Sequence, residues 1–489
     1  MNQLEKVFMH RISKRARRPA PWPGRLLATV LAGLAFGMPD ASAAEFPEYD
    51  VEPCCDLCPA ASRITSYDTS YLKNFNVLVD GKDGWLFRSE AELPEQFGPS
   101  PEGLVHLRRF ARHLKKTTGT ELVMVFQPTK GLVHPDKLPE YMPVSFSWPF
   151  ARTNYVGALE RFRSAGLVVP DLSPLLREKG RKDAYYFKRD HHWTPFGAKR
   201  TAKLVADRIK QMPSYEALAK KSFETRRTGL IRKDGSLQDA ARRICGQTWP
   251  TQYVDEFRTQ AAGTVESSEA STLFGEDTLP PIALIGTSNS KGAQDYNFVG
   301  YLQEFLGVEI LNFAVAGGSY DGSIFEYLMS DNFRQSPPEI LIWEVPAYHT
   351  LDSVEFYRQV VPMVTDGCNG NEPVLQNTTR VSAGTTEVLF NGGGEFLELP
   401  SDQYLIELQF SDPTVKEVDA FIWFVFGRKD RIDLEYGSRV ETTGRFMFEL
   451  PTGESWNDEL FMSLDLALEP EQVTEDLTVT ARVCRRQDI

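Results

Sequence analysis

Between residues 65 and 350, short apolar runs alternate with longer stretches whose apolar positions recur every three or four residues. The runs at 122–126, 167–169, 282–285, 308–311 and 340–343 are almost wholly apolar, the pattern of strands buried on both faces. The intervening pattern predicts a helix over 102–116, where Val105, Leu107, Phe110 and Leu114 share one face. Further helices are expected over 151–165 and from about 194 to 211. Strands alternating with helices imply a parallel sheet covered on both sides. After about residue 365 the rhythm shortens. Runs at 404–410, 421–426, 431–436, 445–450, 461–468 and 477–483 alternate partly with period two between Gly, Pro, Asp and Asn, as in an antiparallel β-sandwich. Residues 351–367 are then expected to be a linker.

The N-terminus follows neither pattern. Lys14, Arg15, Arg17, Arg18 and Arg25 precede an apolar run from Leu26 to Met38, and small residues follow at 41–44. That run is too short to span a bilayer and reads as an export signal cleaved near Ala43 or Ala44. No later apolar run is long enough to cross a membrane, so the mature chain is expected to be exported, with no transmembrane segment. Losing 1–44 removes seven Lys/Arg and two Asp/Glu, taking the formal charge from -13 to about -18. Such an acidic chain is not expected to bind nucleic acid, which needs a basic face, and any polyanion must be met by local basic patches. All six cysteines, Cys54, Cys55, Cys58, Cys245, Cys368 and Cys484, lie beyond the signal. In an exported chain they read as disulfides, and six allow fifteen pairings. Cys368 and Cys484 bracket the sandwich, so one bridge between its ends is possible.

Candidate chemistry concentrates in two short stretches. In Ile285-Gly-Thr-Ser288-Asn-Ser290 a serine follows a buried strand and a glycine. Gly-x-Ser is common in turns, but the carboxyl end of a strand in an open parallel sheet is where ligands bind. Ser290 is a rival two residues on. In Asp190-His191-His192-Trp-Thr-Pro195 a carboxylate stands two residues before an imidazole. The segment also suits a helix start, with Thr194 as cap and Pro195 in the first turn. Taken together, the stretches supply a nucleophile (Ser288), a base (His192) and an acid to orient the base (Asp190), which points to acyl transfer. His191 is read as a packing or substrate-contact residue. Further ligands at metal-site spacing are not visible, so neither metal nor cofactor is expected. A softer signal is the cluster Trp423, Phe424, Phe426, Arg428, Lys429 and Arg431, since sugars stack on aromatic faces and arginine pairs with carboxylates.

The run 185–195 (Tyr-Tyr-Phe-Lys-Arg-Asp-His-His-Trp-Thr-Pro) and the run 282–290, together with 83–88, 127–129, 251–255 and 340–344, closely resemble the AlgX family of periplasmic alginate biosynthesis proteins. The resemblance implies an α/β SGNH hydrolase-like domain in circularly permuted order, with Asp-x-His before the serine, followed by a β-sandwich carbohydrate-binding module. The expected division is signal 1–44, catalytic domain 45–350, linker 351–367 and module 368–489. The implied activity is periplasmic O-acetylation of mannuronate residues of polymannuronate or alginate. Acetyl donors would come from other acetylation proteins, and an export complex would be a further partner. A carbohydrate acetyl esterase and a non-catalytic polymer scaffold are the alternatives. Carried over by motif, Ser288, His192 and Asp190 match the family's triad. Tyr296 matches its active-site tyrosine, and Cys58–Cys245 and Cys368–Cys484 match its disulfides. Tyr296, Trp423, Arg428 and Lys429 are then the expected substrate contacts. Lys429 stands where the family pattern has arginine, and an arginine expected near Thr385 is absent; lysine does not reproduce bidentate carboxylate pairing.

Overall fold

The computed structural model describes residues 56–177, 184–262, 279–291 and 296–487. The expected export signal, Cys54 and Cys55 lie outside the described residues. An N-terminal hairpin pairs β1 (Leu78–Asp80) with β2 (Leu86–Arg88). Four parallel strands follow in the order β3 (Glu121–Gln127), β8 (Ile340–Pro346), β6 (Ile282–Ile285), β7 (Ile310–Asn312). β6 and β8 are wholly buried, as expected for strands covered on both faces. Helices Pro101–Thr118, Trp148–Ser164 and Pro195–Ile209 match the periodic segments read from the sequence. The last begins where expected: Thr194 accepts the Gly197 N–H, and Pro195 occupies the first turn. Because β7 and β8 flank β6 on opposite sides, the carboxyl end of β6 opens where the chain crosses over.

Four elements differ from the sequence expectation. The run at 167–169 contributes only one bridge, Val168 to Val123. The run at 308–311 pairs two residues later than its centre suggests, as β7. A long hairpin of β4 (Phe223–Lys233) and β5 (Gln252–Ala261) has no counterpart in the reading. Its positions are largely polar, and its strands are separated by a helix, Ser236–Cys245, rather than by a short turn. The segment 351–367 is no linker: most of it is the helix Val354–Val364, buried along most of its length. It packs between the helix Pro101–Thr118 and a strand of the following domain.

The C-terminal part is a sandwich of two four-stranded antiparallel sheets. Its strands are β9 (Leu375–Arg380), β10 (Gly384–Phe390), β11 (Tyr404–Phe410), β12 (Glu417–Phe424), β13 (Lys429–Glu435), β14 (Arg445–Glu449), β15 (Phe461–Leu468) and β16 (Thr478–Arg485). One sheet runs β10-β15-β12-β13 and the other β14-β11-β16-β9. Alternation is clean on β12, where Val418, Ala420, Ile422 and Phe424 are buried and the residues between them face outward. Disulfides join Cys58 to Cys245 and Cys368 to Cys484. The first ties the N-terminal segment to the end of the helix Ser236–Cys245. The second closes the start of the sandwich onto its last strand.

Both parts share one apolar core, with Trp343, Phe325 and Phe356 continuous with Tyr436 and Phe446. Polar bonds stitch the same seam. Arg109 donates two bonds to Glu449 (2.6 and 2.5 Å), and Arg486 meets the same carboxylate at 2.8 Å. Arg358 donates to the Glu449 carbonyl at 2.8 Å and pairs with Asp430 at 2.8 Å. Buried charges are costly unless they are paired in this way. The chain from residue 45 onward should therefore unfold in one cooperative step. Deleting 368–489 should lower Tm by about 10 °C or more, because an apolar face and several charges lose their partners. Calorimetry of both chains checks this, and an unchanged Tm would contradict the shared core.

Outside the Asp190–His192 loop, burial holds His113, His134 and His349 neutral. Desolvation pulls His113 and His349 down to about 4 and His134 down to about 3. His134 Nε2 accepts the Tyr186 N–H at 3.1 Å, a bond only the unprotonated ring can make. Unfolding lets these rings bind protons near their ordinary value of 6.5, whereas the folded forms stay neutral down to about 3–4. The unfolded state thus binds more protons throughout that window, so stability falls as pH drops below 6.5. Urea titrations at pH 7 and pH 5 should show this loss, with a net uptake of protons on unfolding. Equal stability at the two pH values would contradict it.

Candidate active site

At the carboxyl end of β6 the chain turns sharply through Gly286 and Thr287 into the short helix Ser288–Lys291. A side chain at Gly286 would meet the Glu344 carboxylate, 2.7 Å from its Oε2. The glycine therefore lets the turn lie directly on Glu344, at the matching end of β8. Glu344 is wholly buried, and its Oε2 accepts the Thr287 N–H and hydroxyl, both at 2.8 Å, and the Ser290 hydroxyl at 3.2 Å. Burial raises the Glu344 carboxyl despite these bonds. Ser290 is thus a buried anchor of the turn and not an exposed hydroxyl. Asn289 is locked as well: its Nδ2 donates to Gln127 Oε1 at 3.1 Å, and its carbonyl accepts the Trp193 indole N–H at 3.0 Å. Fixed on both sides, the turn presents Ser288.

Ser288 Oγ lies 2.7 Å from His192 Nε2, and His192 Nδ1 lies 2.5 Å from Asp190 Oδ1. Asp190 is buried and fully bonded: Oδ1 also accepts the His192 N–H at 2.9 Å, and Oδ2 accepts the Ser236 N–H at 2.7 Å. Burial alone raises Asp190, but His192, with its hydrogen bond, His191 and Lys233 overcome this and hold the carboxyl well below the usual carboxylate range. Gly235 makes the Ser236 contact possible. Its φ is +90°, and a Cβ there would overlap the Arg189 carbonyl at 2.2 Å. The same serine holds the neighbouring ring, His191 Nδ1 lying 2.6 Å from Ser236 Oγ. Desolvation, then His192, keep His191 neutral. Asp190 takes no part in capping the helix Pro195–Ile209, a role left to Thr194.

Two buried cations fix the backbone of this loop. Lys130 Nζ donates to the carbonyls of Leu86, Lys188 and Asp190 at 2.7, 2.8 and 3.1 Å, and burial lowers it to about 8. Arg189 donates to Gln238 and to the carbonyls of Gly84 and Pro250 at 2.9, 3.3 and 2.5 Å. Tyr296 lies with its ring 5.3 Å from that of His192, and its hydroxyl accepts from Lys233 Nζ at 2.6 Å. Lys233 also stands 3.8 Å from Asp190 Oδ2. Beside the serine turn a small pocket is lined by Arg88, Gln127, Lys130, His191, Asn289 and Tyr348. Asp190, His191 and His192 place three possible metal-ligand atoms within 4.8 Å of one another. Those atoms are already engaged with each other, with Ser288 and with Ser236, so the arrangement fits a proton relay better than a metal cage.

On the sandwich, Phe421 and Trp423 project from β12 beside Lys429 and Arg431 of β13. Lys429 Nζ lies 4.1 and 4.8 Å from the Phe421 and Trp423 ring centres, and Trp423 Nε1 donates to Asp465 at 2.8 Å. Arg428 does not join this face. Its guanidinium lies flat on Trp456, 3.4 Å from the ring centre, and bonds the Ser455 carbonyl. The hairpin turn at Gly427 sends it to the opposite side of Lys429. Arg431 is the arginine on the aromatic face, 5.7 Å from Phe421 and paired with Asp419 and Asp433. Thr385 is on the same sheet, opposite Ala467 of β15. Tyr320 packs against Trp343, His349 and Phe356 in the shared core. Sequence reasoning did not identify Lys130, Lys233, Ser236 or Glu344. Each lies far along the chain from the residue it serves; Lys130, three residues beyond β3, and Glu344, within β8, stand at recognised strands.

Residues 78–347 match a family model described as the SGNH hydrolase-like domain of the acetyltransferase AlgX, and residues 367–489 match a C-terminal carbohydrate-binding module. The alginate biosynthesis protein AlgX of Pseudomonas aeruginosa is 42% identical over 461 residues, 94% of this chain and 95% of that one. Its counterpart from Azotobacter vinelandii is 37% identical over 469 residues, 95% of each. The probable alginate O-acetylase AlgJ of P. aeruginosa is 29% identical over 278 residues, 55% of this chain and 69% of its own. A solved structure of P. aeruginosa AlgX, 42% identical, superposes with a TM-score of 0.79 over 88% of this chain and 100% of that one. With an SGNH hydrolase-like parallel sheet leading into a carbohydrate-binding sandwich, the chain belongs to the AlgX family of alginate biosynthesis proteins.

Proposed function

We propose that the protein transfers acetyl groups to mannuronate hydroxyls of polymannuronate or alginate in the periplasm, through an acetyl-serine. The observation that carries this reading is the line Asp190–His192–Ser288 at the carboxyl end of β6. Relatives named for alginate biosynthesis and alginate O-acetylation supply the substrate class.

In the first half-reaction His192 Nε2 takes the Ser288 proton as Oγ attacks the acetyl carbonyl of an ester donor. Backbone N–H groups at the strand-end turn stabilise the tetrahedral oxyanion. The donor oxygen leaves with the proton from His192, and acetyl remains on Ser288. In the second half a mannuronate hydroxyl gives its proton to His192 and attacks the acetyl-serine, and Ser288 leaves with that proton. Asp190 keeps His192 in the tautomer and orientation both halves need, and its depressed pKa keeps it ionised throughout the working range. The sandwich would hold the polymer close to the site and raise its local concentration, with Trp423, Phe421, Lys429 and Arg431 as the contact face. Other acetylation proteins would supply the donor, and an export complex would surround the polymer.

Ser288→Ala should lower acetyl transfer by about a thousandfold or more, while circular dichroism shows the fold retained. Mass spectrometry of mannuronate oligomers incubated with an acetyl donor reads this directly. Undiminished acetylation by the variant would exclude the serine mechanism and favour a scaffold. Acetate release with no transfer to sugar by the unaltered protein would favour an esterase.

A further inference from the structure

The acceptor in this reading is a polyanion, yet the chain carries a formal charge of -13. Each mannuronate must therefore bring its carboxylate close to the serine against the field of an acidic protein, and a local cation is needed there. Among the described residues, the cationic side chains around the Asp190–His192 loop include Arg88, Lys130, Arg189 and Lys233. Lys130 is wholly buried and bonded to three carbonyls. Arg189 is buried and bonded to Gln238 and two carbonyls. Arg88 is buried against Glu92, at 3.2 Å, in an ion pair that neutralises it. Lys233 differs: its side chain is 24% exposed.

Its setting is also distinct along its own strand. The arginines of β4 face outward and pair with nearby acids: Arg226 with Glu224, Arg227 with Asp255 and Arg232 with Asp234. Lys233, the last residue of β4, turns the other way. Its ammonium sits 2.6 Å from the Tyr296 hydroxyl and 5.2 and 5.6 Å from the Tyr296 and Phe187 ring centres. Among the described residues the acid paired with it is Asp190, 3.8 Å away, and both Asp190 oxygens already accept shorter bonds from His192 and Ser236. An ammonium has three donors, and one short bond to Tyr296 leaves capacity for a ligand carboxylate.

We propose that Lys233, with Tyr296 beside it, binds the carboxylate of the mannuronate residue being acetylated. This rests on the acetyltransfer reading above. In a mannuronate the C5 carboxylate and the C2 and C3 hydroxyls stand about one sugar ring apart. The Tyr296 ring centre lies 5.2 Å from the Lys233 ammonium and 5.3 Å from the His192 ring, a separation on that scale. Fixing the carboxylate on Lys233 thus directs a ring hydroxyl toward His192 and the acetyl-serine. Lys233 accordingly selects uronates as acceptors over neutral sugars and water.

The test uses the full mature chain as Lys233→Met and Lys233→Arg, with p-nitrophenyl acetate as donor. Acetate released to water and acetyl transferred to mannuronate oligomers are measured together, over a range of oligomer concentrations and salt. Lys233→Met should raise the oligomer KM, and lower the ratio of transfer to hydrolysis, by about tenfold or more, the value of a charge-assisted contact. Lys233→Arg should restore most of that ratio, and added salt should raise the unaltered protein's KM. Equal losses of transfer and hydrolysis in Lys233→Met would overturn the proposal and leave Lys233 as a support for Asp190. An oligomer KM indifferent to salt, or a Lys233→Arg variant whose KM rises as far as expected for Lys233→Met, would overturn it too, even if Lys233→Met fails to fold. Ser288→Ala run alongside separates the two levels: transfer that survives it defeats the underlying mechanism whatever Lys233 does.

Discussion

An ionised carboxylate in a protein interior is costly unless its oxygens are matched by donors, and Asp190 meets that condition through elements drawn from across the chain. His192 supplies two donors from the same loop, Ser236 one from the start of a helix, and Lys233 a charge from the end of β4. Lys130 secures the Asp190 carbonyl from beyond β3. The requirement explains features that otherwise look unrelated. Gly235 must lie on the Arg189 carbonyl for Ser236 to reach the carboxylate. The disulfide Cys58–Cys245 then pins the far end of the helix that Ser236 begins. Residues from 130 to 236 thus converge on one residue, and its orientation of His192 toward Ser288 is the outcome.

The second constraint is the seam between the sheet domain and the sandwich. A flexible tether would leave the proposed polymer-binding face free to wander; here the helix Val354–Val364 and the Arg109–Glu449–Arg486 cluster bury the junction. Module and serine turn are held in one body, so a chain bound on the sandwich meets the site from a restricted set of directions. Pre-organisation of this kind cuts the entropy lost when polymer and site meet. The aromatic face with Lys429 and Arg431 is lightly charged for a polyanion binder, since Arg431 already serves Asp419 and Asp433.

Much of this was legible in the sequence, for physical reasons. Strands buried on both faces have to be apolar throughout, so β3, β6 and β8 stood out, and Ser288 and the Asp190–His192 pair announced themselves through position and spacing. The β4–β5 hairpin did not, because it is largely polar and interrupted by a helix. The helix Val354–Val364 was read as a linker because its burial arises from two partners distant in sequence, and Pro362 lies within it. Lys130, Ser236 and Glu344 could not be assigned their roles, since a buried polar residue is recognised by partners that only the fold supplies. Arg428 was misplaced by a single turn: neighbours in sequence, it and Lys429 diverge to opposite sides of the hairpin.

The central claim is that acetyl passes through Ser288 to a mannuronate hydroxyl. Intact-protein and peptide mass spectrometry after brief exposure to an acetyl donor tests it most directly. The expected result is one acetyl group on the peptide carrying Ser288, discharged on adding mannuronate oligomers, with the same group appearing on the sugar. Acetylated oligomers formed while Ser288 stays unmodified, or an acetyl-serine that oligomers fail to discharge, would contradict it.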